Sequence, residues 1–283
     1  MKLVRFGPPG REKPGIIDSD GNIRDLSSVV PDIAGDALGP KGLARIRKVP
    51  IDKLPKVRGG ARLGPCVGGV GNFIAIGLNY ADHAAEAGQP IPPEPIIFNK
   101  AQSSICGPND DTMIPKGSTK LDWEVELGVI IGSRARYLAK KDAMEVVAGY
   151  CVANDVSERQ FQIERAGQWT KGKGCETFGP LGPWLVTKDE IENPQKLDMW
   201  LTVNGESRQK GSTRTMIFGV AHLVWYCSQF FVMEPGDVIV TGTPPGVGLG
   251  MKPTPQFLKA GDVVRLGIAG LGEQQQKVVR FKI

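Results

Sequence analysis

Apolar side chains recur at Trp123, Val125, Leu127, Val129 and Ile131, the two-residue period of a strand with one face against a core. Successive strand side chains point to opposite faces, so Glu124 and Glu126 share the other face. A second strand-like run, 148–154, leads directly into Asp155. Further runs of this kind cover 3–6, 15–18, 73–78, 96–99, 184–186, 199–203, 238–241, 263–268 and 277–281. Asn204-Gly205 marks a hairpin after 199–203, and Ser19-Asp20-Gly21-Asn22 marks one near the N-terminus. Helical spacing is rarer and predicts helices over 141–147, 157–166 and 216–230. Many strands with few helices predict an α+β, mainly β fold rather than a doubly wound sheet. The Gly-rich passage 58–71 suggests a boundary, dividing a small N-terminal β-rich domain, 1–65, from a larger domain, 66–283.

Composition narrows the functional classes. Thirty-seven glycines and 22 prolines agree with many turns and short strands. The net charge of +5 arises from Lys and Arg scattered among acids, with no basic block, which argues against a nucleic-acid partner. No apolar run approaches the ~20 residues of a membrane helix. The N-terminal segment lacks the apolar core of a signal peptide, so the expected compartment is the cytoplasm. Five cysteines without Cys-x-x-Cys spacing indicate neither a disulfide scaffold nor a zinc knuckle.

Glu124 and Glu126 repel one another unless a cation lies between them. With Asp155 from the second run they would form a hard, oxygen-rich site suited to magnesium, manganese or calcium. The same Glu-x-Glu also suits a solvated face of an edge strand. His83 and Glu86 follow a strand and are spaced as neighbours on one helical face. That pairing suits a general base oriented by a carboxylate, or a surface pair contributing below about 1 kcal/mol. The other histidine, His222, lies in an apolar helical stretch, so a multi-histidine zinc site is not expected. Residues 167–174 imitate a phosphate loop but place Gly174 where a hydroxyl is needed, which leaves a loop presenting Lys173 rather than a nucleotide site. Residues 241–248 form a Pro-Gly turn whose hydroxyls and amides suit either a bound carboxylate or ordinary turn chemistry.

Together, Gly77-Leu78-Asn79-Tyr80-Ala81-Asp82-His83, Trp123-Glu124-Val125-Glu126-Leu127-Gly128, Asn154-Asp155, Trp169-Thr170-Lys171-Gly172-Lys173, Val203-Asn204-Gly205-Glu206 and Thr241-Gly242-Thr243-Pro244-Pro245-Gly246 resemble the fumarylacetoacetate hydrolase family. The match runs over roughly residues 70–283 and is specific through the order and spacing of its motifs. The resemblance implies a β-roll or sandwich catalytic core, a homodimer, and a divalent cation, usually Mg2+ with Mn2+ or Ca2+ as alternatives. It implies metal ligands Glu124, Glu126 and Asp155, and a water-activating dyad, His83 and Glu86, on a lid helix. It further implies a catalytic Lys173 and substrate-binding Arg159, Gln162 and Thr243. The N-terminal segment resembles a bacterial branch that degrades sugar-derived 2,4-diketo acids and is often labelled ureidoglycolate lyase. The expected reaction is hydrolysis of a carbon–carbon bond in a 2,4-diketo acid. Carbon–nitrogen cleavage of ureidoglycolate, decarboxylation and isomerisation are the alternatives within the family.

Overall fold

The computed structural model describes residues 1–281. Its centre is a ten-stranded mixed sheet. Nine of its strands run in the order Ile23–Asp25, Lys13–Ile17, Lys2–Phe6, Gly179–Thr187, Val147–Asn154, Val125–Ile131, Val238–Val240, Phe73–Gly77 and Ile96–Asn99. Ile105–Cys106 pairs with Gly179–Thr187 beside this path. A five-stranded sheet, Glu206–Ser212, Asp198–Val203, Val263–Ile268, Gly272–Arg280 and Thr112–Ile114, packs against one face. The interface holds Val125, Leu127, Val129, Tyr150, Leu201, Val264 and Leu266, all buried, as two stacked sheets with alternating apolar positions require. This is the mainly β, sandwich-like architecture expected.

The turn chemistry is realised where it was predicted. Asn204 and Gly205 both have positive φ, 53° and 83°, which is the backbone of a two-residue hairpin, and Asp198–Val203 pairs antiparallel with Glu206–Ser212 across it. Near the N-terminus, Asp18 accepts the backbone N–H groups of Asp20 and Asn22, closing the turn between Lys13–Ile17 and Ile23–Asp25.

Three features depart from the sequence expectation. The Val125–Ile131 strand is buried on both faces, because Ile130 on its second face joins a cluster with Leu3, Leu26, Ile33 and Ile46 of the N-terminal segment. Residues 1–65 therefore meet the central sheet directly, and Lys2–Phe6 pairs edge to edge with Gly179–Thr187. The helix expected at 141–147 is only a single 3₁₀ turn, Lys140–Asp142. The β-branched pair Val146-Val147 leads instead into the Val147–Asn154 strand. The helix expected at 157–166 begins as a strand, Ser157–Glu158, paired with Leu121–Asp122, and continues as a π-helical turn, Gln160–Glu164. The third helix is present but shorter, Val220–Cys227, entered through Gly219.

One local distortion places a functional element. Leu78 follows the Phe73–Gly77 strand with φ of 50°, a left-handed conformation uncommon for a bulky residue. Asn79 holds the turn: its amide donates to the carbonyls of Phe218 and Thr241, and its oxygen accepts the Phe218 N–H. The chain is thereby redirected into the short helix Ala81–Glu86, which carries the histidine and glutamate singled out from the sequence.

Candidate metal centre and active site

The acidic trio follows from strand register. In the antiparallel pair of Val125–Ile131 with Val147–Asn154, Ala153 lies opposite Glu126 and Asn154 opposite Val125. One residue further, the Asp155 N–H donates to the Glu124 carbonyl at 2.9 Å, so these two residues face each other just beyond the strand ends. Opposed residues of an antiparallel pair share a face, and Glu126, two positions from Glu124, shares it too. Carboxylate oxygens of Glu124, Glu126 and Asp155 all lie within 4.8 Å of one another, and all three residues are buried.

Three cations surround this cluster. The Lys173 ammonium donates to Glu124 Oε2 and Asp155 Oδ2, both at 2.7 Å. Arg159 donates through Nη2 to Glu124 Oε1 at 2.6 Å, through Nε to Asp122 Oδ2 at 2.8 Å, and through Nη1 to Gln162 Oε1 at 3.1 Å. Lys100 donates to Asp155 Oδ1 at 2.5 Å and to the Lys173 carbonyl. Among the described residues Glu126 has no cation of its own; its Oε2 accepts the Gly242 N–H at 2.8 Å.

The ionisation pattern follows from these partners. Burial alone would raise the Glu124 carboxyl, but Lys173 and Arg159 outweigh it and hold Glu124 well below the usual carboxylate range. Burial, reinforced by the charges of Asp155 and Glu124, pushes Glu126 well above that range. Burial opposes the charge on Lys173, yet Asp155 and Glu124 keep its ammonium more basic than usual, so Lys173 is a permanent donor and not a base.

The donor set suits a divalent cation. Each carboxylate offers about four lone-pair positions, so the hydrogen bonds from Lys173 and Arg159 leave capacity for an ion. Among the described residues, Asp122, Glu124, Glu126 and Asp155 pair with Lys100, Arg159 and Lys173, and the carboxylate without a salt bridge there is the one whose charge burial resists. A hard dication among oxygen ligands removes that conflict. The sign of the pH dependence follows. Because the folded protein holds the Glu126 proton more tightly than the unfolded chain, the metal-free protein loses stability as pH rises above the usual carboxylate range. Divalent-cation affinity is expected to rise over the same window, with a proton released on binding. Calorimetric titrations in buffers of differing ionisation enthalpy measure that proton directly.

His83 and Glu86 are joined as anticipated. His83 Nδ1 lies 3.1 Å from Glu86 Oε2, and the Gly246 N–H donates to Glu86 Oε1 and Oε2 at 3.0 and 3.2 Å. With Nδ1 turned to the carboxylate, Nε2 is the nitrogen left for chemistry. His83, Glu124, Glu126, Asp155, Arg159, Gln162, Lys173 and Thr243 all line one cavity of about 100 Å³, and Glu86 stands behind His83. Thr243 donates to the Val125 carbonyl and accepts from Gln209, so its hydroxyl also secures the strand carrying Glu126.

Two placements revise the expectation. Lys173 is not on an exposed loop; it ends the short helix Thr170–Lys173, whose first two residues are exposed while Gly172 and Lys173 are buried. Arg159, expected to bind substrate, is already engaged by Asp122, Glu124 and Gln162, leaving two of its five N–H donors for that purpose.

Asp122 and Lys100 are the residues that sequence reasoning passed over. Asp122 has the same parity as Glu124 and Glu126, so the alternation pointed to it. Besides Arg159, it accepts the N–H groups of Trp123, Gly248 and Leu249, tying the metal cradle to the loop that holds Glu86. Lys100 follows the Ile96–Asn99 strand without any periodic signal. Lys100→Ala would leave Asp155 with one fewer buried partner, and a loss of roughly 3–5 kcal/mol is expected in denaturant unfolding of the metal-free protein.

Comparison with known proteins agrees with this geometry. The fumarylacetoacetate (FAA) hydrolase C-terminal family matches residues 72–279. A relative from Burkholderia multivorans, whose name goes no further than hydrolase, is 64% identical over 276 residues and is covered to 98%, as is this chain. The fumarylacetoacetate hydrolase of psychrophilic Exiguobacterium antarcticum is 37% identical, with a TM-score of 0.82 over 99% of this chain and 100% of its own. The maleylpyruvate hydrolase of Sphingobium sp. SYK-6, solved with manganese(II) and pyruvate, is 28% identical, with a TM-score of 0.81 over 100% of both chains. The chain belongs to the fumarylacetoacetate hydrolase family, whose members include hydrolases and isomerases. No helix among the described residues is long and apolar enough to cross a membrane.

Proposed function

We propose that this protein is a Mg2+-dependent hydrolase that cleaves a 2,4-diketo acid to pyruvate and a small carboxylic acid. The observation that carries the reading is the opening of the His83–Glu86 dyad onto the cavity lined by the acidic trio, with Lys173 and Arg159 beside it. A divalent ion held by Glu124, Glu126 and Asp155 would supply Lewis-acid polarisation of the 2-oxo acid and neutralise its charge.

The residues of the chain account for the remaining chemistry. His83 Nε2 removes a proton from water, and Glu86 stabilises the imidazolium. The water oxygen attacks the C4 carbonyl, the C3–C4 bond breaks, and its electron pair is delocalised as the enolate of pyruvate. Protonation at C3 completes pyruvate, while the acyl group leaves as a carboxylic acid. Lys173 uses two of its three N–H donors on Glu124 and Asp155, leaving one for a developing oxyanion, alongside the two free donors of Arg159.

The test is product analysis with 2,4-dioxopentanoate and ureidoglycolate in the presence of Mg2+ or Mn2+. Stoichiometric pyruvate and acetate from the first are expected. Glyoxylate and urea from the second, with no pyruvate from the first, would replace this reading with a lyase.

A further inference from the structure

The strand that carries Glu124 and Glu126 outruns its neighbour. Val238–Val240 pairs antiparallel with it as far as Val240 opposite Gly128, and the Thr241 N–H donates to the Leu127 carbonyl. Gly242, at φ 89°, then turns the chain away. The N–H and carbonyl of Val125, two positions before Leu127 on the same edge, therefore lie beyond the ladder, and buried backbone groups need partners. Two side chains supply them. Gln209, fully buried on Glu206–Ser212, accepts the Val125 N–H through Oε1 at 2.9 Å. Its Nε2 donates to Thr243 Oγ1 at 2.8 Å and to the Pro244 carbonyl at 2.7 Å, and the Thr243 hydroxyl donates to the Val125 carbonyl at 2.9 Å. Val125, Gln209 and Thr243 thus close a hydrogen-bonded ring on the backbone between the two glutamates.

We propose that Gln209 is a positioning residue that sets the metal cradle and the His83–Glu86 dyad in place relative to each other. Its oxygen fixes Val125, and with it the directions of Glu124 and Glu126 on either side. Its nitrogen fixes the 243–244 turn, which continues to Gly246, whose N–H holds Glu86. Strand and turn leave no slack: a Cβ on Gly211 would collide with Pro244, and one on Gly246 with the Arg208 carbonyl. A side-chain amide meets the three demands together. The Val125 N–H requires an acceptor, while the Pro244 carbonyl and the Thr243 hydroxyl, its proton spent on Val125, require two donors. The part of the role exerted on the cradle is independent of the reaction; the part exerted on Glu86 rests on the hydrolase reading above.

The test is equilibrium dialysis of the full-length protein against Mn2+, with urea unfolding in chelator beside it. Gln209→Met keeps the volume and removes all three hydrogen bonds. Its Kd for Mn2+ should rise about 10–100-fold, the usual effect of losing a group that orients a ligand. Thr243→Val should weaken Mn2+ similarly, and Thr243→Ser, which keeps the hydroxyl, should bind close to wild type. The double variant Gln209→Met/Thr243→Val should be no worse than the more impaired single one, because members of one ring are not additive. With Mn2+ saturating, pyruvate release by Gln209→Met should still be slower by about tenfold or more, since filling the metal site does not restore a displaced base. A Gln209→Met protein with a lower urea midpoint but wild-type Mn2+ affinity has lost a structural bond alone and overturns the proposal. Additive Kd effects overturn it as well. Should Gln209→Met fail to fold, wild-type affinity in Thr243→Val does the same. Shifted Kd values with no pyruvate from the wild type overturn the hydrolase reading and uphold the role at the cradle. A wild type that takes up no Mn2+ overturns the metal centre and this role together.

Discussion

Glu126→Gln is expected to abolish divalent-cation retention and pyruvate release while leaving the metal-free protein at least as stable as the wild type at neutral pH. The two halves of this result have one origin. Among the described residues Glu126 is the member of the trio without a salt-bridge partner, and burial with the charges of Asp155 and Glu124 resists its ionisation. Glutamine keeps an oxygen to accept the Gly242 N–H but carries no charge, so the electrostatic conflict in the metal-free fold disappears with the ligand. Affinity should fall by more than the roughly 10–100-fold typical of losing a contact that only supports a ligand. Equilibrium dialysis against Mn2+ and urea unfolding with chelator present measure the two effects. A Glu126→Gln protein that binds Mn2+ as the wild type does would remove Glu126 from the centre.

His83→Ala has the second large effect, and a different one. Turnover should fall by roughly 10²–10⁴-fold, the contribution of a positioned general base, with Mn2+ binding unchanged. The separation is expected because His83 Nδ1 is turned to Glu86, and Glu86 is held by Gly246 rather than by the trio. Glu86→Gln should reduce turnover less, since the imidazole would keep a hydrogen-bonding neighbour but lose the charge that stabilises its protonated form. Full-rate pyruvate release by His83→Ala would exclude it as the base.

The difference between these variants reflects how the site is built. The trio depends on register between two strand ends, and the dyad depends on a helix swung into place by Leu78 and Asn79. Lys173 and Arg159 border both, giving one cavity in which an acidic cradle and a basic nitrogen face the same space.

Strand periodicity alone brought out Glu124 and Glu126, because a period of two assigns faces without any knowledge of the partner strand. It did not reveal that both faces of Val125–Ile131 are covered, since Ile130 belongs to a buried cluster with Leu26, Ile33 and Ile46, residues far away in sequence. Asp122 carried the same parity signal as the two glutamates, yet its function emerges only from three contacts that converge on it from distant parts of the chain, Arg159, Gly248 and Leu249. Lys100 had no local signal: a single lysine after a strand reads as a solvated end, and only tertiary packing places its ammonium on Asp155. The helix expected at 141–147 failed because helical spacing over so short a span competes with the β preference of Val146 and Val147, and strand pairing with Val125–Ile131 decides the outcome.

The central claim is that Glu124, Glu126 and Asp155 hold one divalent ion on which cleavage depends. Pyruvate release from 2,4-dioxopentanoate, followed after rigorous metal removal and during stepwise return of Mg2+ or Mn2+, tests it most directly. No release without metal and saturable recovery as a single site fills is the predicted result; undiminished release from the fully stripped protein would contradict it.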